Sequence, residues 1–80
     1  MQVEKVSEAV KRQPFEPFII VTSSGSRYLV DHPEMVLVAK GSLYVSQRVQ
    51  IPQRGELATD PVVISYMHIT ELVPAPEQAA

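Results

Sequence analysis

The chain has 80 residues, 45% hydrophobic and 20% charged, with seven basic and nine acidic side chains, a net charge of −2 and no cysteine. That is room for one small folded domain. It excludes disulfides, leaves only His32 and His68 as nitrogen ligands for a structural zinc, and lacks the basic excess of a dedicated electrostatic nucleic-acid binder.

The first segment has helical spacing. Val3, Val6 and Val10, with Ala9 beside them, make one apolar stripe, and Glu4, Lys5, Glu8, Lys11 and Arg12 fill the other face. A helix is therefore expected over residues 2–13, stopped by Pro14, which pushes the residue before it out of the helical region. The segment has no signal-peptide pattern, and no run in the chain approaches the ~20 apolar residues of a membrane span. The expectation is a complete, short cytoplasmic protein without a membrane segment. Pro14-Phe15-Glu16-Pro17-Phe18 then reads as a stiff extended connector.

From Phe18 the period changes from 3.6 to 2. Strands are expected at Phe18–Thr22, Arg27–Asp31, Met35–Ala39, Leu43–Gln47, Val62–Tyr66 and Ile69–Val73. Gly25 supplies the positive φ of a tight hairpin, His32-Pro33-Glu34 breaks the ladder, and Lys40-Gly41-Ser42 makes a second turn. Residues 48–61, with Pro52, Gly55 and Pro61, read as a long polar loop. Met67-His68 reads as a short turn, and residues 75–80 as a disordered tail behind a single domain of residues 1–74.

Ile19-Ile20-Val21, Val36-Leu37-Val38 and Val62-Val63-Ile64 are apolar without alternation. A half-exposed antiparallel strand should alternate, so both faces of these strands need cover. The barrel interior covers one, and the helix or a second subunit covers the other. The fold expected is mainly β: an N-terminal α-helix followed by a small five- to six-stranded antiparallel barrel, SH3-like or Sm-like, that forms a homo-oligomer.

Two stretches resemble the Sm-like family, most closely its bacterial host-factor branch. Phe18-Ile-Ile-Val-Thr-Ser-Ser-Gly-Ser-Arg-Tyr-Leu-Val-Asp31 is similar to the first Sm motif, and Ile64-Ser-Tyr-Met-His-Ile-Thr-Glu-Leu-Val-Pro74 to the host factor's second motif. The resemblance implies a ring that binds RNA, and it carries over Tyr66 and His68 as RNA-site positions. The chain departs from the pattern where Val30 stands near a motif glycine, Val36 follows Met35 in place of asparagine, and Met67 replaces the RNA-touching lysine. Arg-Gln-Pro-Phe-Glu-Pro-Phe at 12–18, Asp-His-Pro-Glu at 31–34 and His-Ile-Thr at 68–70 also resemble a set of short bacterial proteins of unassigned function, which implies no chemistry.

No catalytic, metal or cofactor constellation emerges from the residues. Asp31-His32-Pro33-Glu34 reads as a polar corner, and His68 with Glu71 has the three-residue spacing of a ligand pair on a helix but falls on a turn and strand. The chain has no phosphate-cradling glycine loop and no Gly-x-Ser-x-Gly elbow, so an enzyme is not expected. Arg12 and Arg27 are the basic residues that an RNA surface would draw on, together with Tyr66 and His68. Arg48, Gln53, Arg54 and Glu56 make the 48–61 segment a candidate partner-binding loop. Two readings follow: a self-associating interaction or assembly module that binds a protein partner, and an Sm-like RNA-binding ring.

Overall fold

A computed structural model describes residues 1–46, 48–51, 53, 55–58 and 60–76, giving the backbone alone for 48–51 and 55–58. The valine stripe forms helix α1, Val3–Lys11, with Glu4 in its first turn and Lys11 in its last, both favourable to the helix dipole. It is shorter than the expected span of residues 2–13. Gln2 offers no side-chain cap, and Arg12 is already extended as the chain approaches Pro14. Val6 is completely buried, so the stripe docks as its spacing requires.

Among the described residues eight strands follow: β1 (Phe18–Thr22), β2 (Arg27–Val30), β3 (Val36–Val38), β4 (Ser42–Val45), β5 (Arg48–Ile51), β6 (Gly55–Ala58), β7 (Val62–Ser65) and β8 (Ile69–Pro74). They form two three-stranded antiparallel sheets, ordered β2-β1-β8 and β3-β4-β7, and a two-stranded β5-β6 ladder. Short 3-10 turns at Pro33–Met35 and Tyr66–His68 carry the chain from β2 to β3 and from β7 to β8. Pro33 fixes φ and donates no hydrogen bond. These corners let each strand pair change sheet, and among the described residues no ladder joins the two sheets into a closed barrel.

The β1–β2 hairpin is built as its sequence indicates. The Gly25 amide donates to the Thr22 carbonyl at 2.9 Å and the Thr22 amide to the Ser26 carbonyl at 3.0 Å. Gly25 takes φ 89°, completing a three-residue loop of turn plus left-handed residue. Residues 48–61 differ from their expected form: β5 and β6 pair antiparallel, Arg48 opposite Ala58 through Ile51 opposite Gly55. The alternation of Arg48-Val49-Gln50-Ile51 is strand-like, and the flanking proline and glycine are turn punctuation of a hairpin. At the other end, the Ala75 amide donates to the Pro17 carbonyl at 3.1 Å, continuing the β1–β8 register. Residues 77–80 of the expected tail lie outside the described residues.

The core lies between the inner faces of the two sheets. Phe18, Ile20, Val30 and Ile69 come from the first sheet and Leu43, Val45 and Ile64 from the second, with Val6 of the helix and Tyr66 of the second 3-10 turn completing it. Phe15 sits beside this core with its ring tilted 58° to that of Phe18 at 6.1 Å between centroids, a favoured aromatic geometry. Strand β1 alternates buried and half-buried along its length, so its three consecutive apolar residues do face opposite sides.

Leu43 and Leu37 lie on neighbouring strands with opposite orientation, the first fully buried and the second 66% exposed. Leu43→Ala is expected to cost about 2–5 kcal/mol in urea unfolding and Leu37→Ala less than about 1 kcal/mol in the dilute protein. Equal losses would show that the inward and outward assignment of the β3-β4 pair is wrong.

Candidate interaction surfaces

The outer face of the second sheet carries an apolar row. Strand β4 alternates, turning Leu43 and Val45 inward and Tyr44 outward. Register places Leu37 opposite Tyr44 and Tyr44 opposite Val63, so the three side chains stand side by side across all three strands. They are 66%, 36% and 57% exposed. With strands about 4.8 Å apart, the row spans roughly 10 Å. The adjacent outward positions on β4 and β7 are Ser42 and Ser65, opposite each other, so no charge interrupts this part of the face.

The outer face of the first sheet is different. Leu29, Ile19 and Val73 form a half-buried row, but the next row sets Arg27 and Glu71 on either side of Val21. An ionic row of both signs suits solvent. The helix packs against β3 and its Val6 enters the core, yet Leu37 and Val63 remain uncovered within one chain.

The residues singled out as an RNA surface are not brought together. Tyr66 is a core residue, 7% exposed, and its hydroxyl donates to the Ala39 carbonyl at 2.6 Å. A ring held this way offers no face for a base to stack on. Burial pushes its phenol pKa up. His68 has an exposed side chain, and its carbonyl accepts from the Ser23 amide at 2.8 Å. Arg12 is ion-paired with Glu16 at 3.0 Å, before β1 begins, whereas Arg27 lies opposite Val21 near the far end of that strand. The two arginines therefore stand at opposite ends of β1.

Of the candidate loop, Arg48 lies in β5 and Glu56 in β6, with backbone alone described. Gln53 is exposed with φ 69° at the connection between them, and Arg54 lies outside the described residues. Asp31 and His32 contact each other at 3.0 Å on the surface, and among the described residues no group of three metal-ligating side chains converges. No helix among them is long and apolar enough to cross a membrane.

Compared with protein-family models, curated proteins and solved structures, the chain matches none. The surface with the clearest physical signal is thus the Leu37–Tyr44–Val63 row. Sequence reasoning found it only as strands apolar on both faces; which member of each triplet points out depends on register.

The raised Tyr66 pKa has a defined pH consequence. The folded chain holds this proton more tightly than the unfolded chain, whose tyrosine pKa is about 10. Its contribution is fully present below pH ~10 and is lost as pH rises through the folded value. Tyr66→Phe is expected to lower stability by about 1–3 kcal/mol at pH 7, by leaving the Ala39 carbonyl without its donor. The gap between the two proteins should narrow above pH ~10. A gap independent of pH from 7 to 11 would contradict this assignment.

Proposed function

We propose that the chain is a small self-associating β-module whose subunits meet through the outer face of the β3-β4-β7 sheet, and that the assembly serves to hold a protein partner. The single observation behind this is the uncharged Leu37–Tyr44–Val63 row, exposed in one chain. Water around these side chains is displaced when a second apolar face covers them, worth about 25 cal/mol for each Å² removed from solvent. An 80-residue domain without cysteine has few other means of adding buried surface.

The finer architecture is a partly open SH3-like barrel. The six strands outside the β5-β6 hairpin run in the order β8-β1-β2 in one sheet and β3-β4-β7 in the other, linked by a 3-10 turn after β2 and another after β7. The two sheets share one core, the arrangement a barrel of this type requires. The β5-β6 hairpin, inserted between β4 and β7, is the natural element to vary for a partner. The Sm-like RNA-binding reading is the weaker one, because Tyr66 is committed to the core and Arg12 to Glu16.

Light scattering after size exclusion tests the assembly. The protein is expected to run above its 8.9 kDa chain mass, and Val63→Asp to return it to that mass while keeping its circular dichroism, since Val63 is 57% exposed. A wild-type protein that stays at one chain mass at high concentration sinks the reading. Salt-sensitive binding of single-stranded RNA, lost in Arg27→Glu, would instead favour the Sm-like alternative.

A further inference from the structure

The first sheet ends in β8, whose outer edge is unpaired among the described residues. A groove of about 1030 Å³ runs along that edge. Its floor is the unbroken run 70–76, its wall is Lys5, Glu8 and Ala9 of the helix with Arg12 just beyond it, and Pro17, Phe18, Leu29 and Asp31 also line it. Consecutive floor residues mean that the groove follows the strand's backbone edge; a groove across the sheet face would touch every second residue.

Which backbone groups face the groove follows from the register. Ala75 bonds to Pro17, and antiparallel pairs alternate between bonded and non-bonded. Val73 and Glu71 thus exchange bonds with Ile19 and Val21, while Leu72 and Pro74, opposite Ile20 and Phe18, turn theirs outward. The edge offers the Leu72 N–H, the Leu72 carbonyl and the Pro74 carbonyl. Proline contributes no N–H, so pairing stops there.

The lining is mixed in a definite way. Met1, Ala9, Phe18 and Leu29 supply apolar surface, and four carboxylates stand against Lys5, Arg12 and the Met1 ammonium, which donates to the Tyr66 carbonyl at 2.7 Å. Arg12 and Glu16 neutralise each other at 3.0 Å, and Asp31 contacts His32 at 3.0 Å. Glu8 on the wall and Glu71 on the floor, both exposed, together with Asp31 then outnumber Lys5 and the Met1 ammonium.

We propose that this groove takes an extended segment of a partner protein that adds as a short strand to the Leu72 edge and carries a lysine or arginine toward Glu8 and Glu71. Backbone pairing supplies the docking mode and the carboxylates choose among sequences. The site is separate from the Leu37–Tyr44–Val63 row and does not depend on self-association.

The probe is a fluorescein-labelled eight-residue peptide alternating valine with lysine and threonine, beside the same peptide with glutamate for lysine. Binding is measured by anisotropy and by amide shifts, using the Val63→Asp protein so that assembly and docking are read apart. The lysine peptide is expected to bind at least ten-fold more tightly, with the Leu72 amide among the largest shifts. Glu8→Lys with Glu71→Lys, both at exposed positions, should reverse the preference. Equal affinities, no binding of either peptide up to millimolar concentration, an unchanged preference in the double variant, or shifts centred on Leu37 and Tyr44 would each overturn the proposal.

Discussion

Each three-stranded sheet buries its apolar inner face against the other, and this contact is the core of the molecule. Ile20 and Val30 from one side and Leu43 and Val45 from the other are completely buried in that contact. Its margins are closed by two elements outside the sheets: Val6 from the helix and Tyr66 from the turn before β8. The Tyr66 hydroxyl reaches Ala39 beyond β3, and the Tyr66 carbonyl accepts from the Met1 amine at 2.7 Å. One residue thus ties the start of the chain and the second sheet to the strand that completes the first.

Such dependence explains why the interior is uniformly apolar while the exterior differs from sheet to sheet. Thr22 is the one buried polar residue among those described, and its hydroxyl lies 3.0 Å from that of Ser24. Outside, Arg27 and Glu71 give the first sheet a wet face, but the second presents Leu37, Tyr44 and Val63 without an intervening charge. Burial inside one chain does not account for that second face. The proposed assembly would cover it, and the groove beside β8 lies outside the face that assembly would use.

Local pattern made much of this fold legible. The valine spacing of residues 3–10 indicated the helix, Gly25 the first hairpin, and the boundaries of β1 follow directly from Phe18 to Thr22. What local pattern misses is what pairing decides. The β5-β6 hairpin was hidden because its strands are four residues each and flanked by turn-forming residues. Tyr66 was a recognition candidate through the Sm-like resemblance alone, and the turn expected at Met67-His68 begins one residue earlier, as a 3-10 turn over Tyr66–His68 that buries the tyrosine. Likewise, Val62-Val63-Ile64 reads as three equivalent apolar residues until its pairing with β4 turns Val63 outward and Ile64 inward.

Pro74 sets a limit on stoichiometry. Its carbonyl faces the groove without an accompanying N–H, and α1 stands on the far side of the same groove. A segment that pairs with Leu72 therefore meets helix where another strand would have to come. Growth by successive strands, the route to fibres, is closed on this side after a single addition. In the proposed docking mode each subunit would accept one guest, and the number of guests in an assembly would equal the number of its subunits.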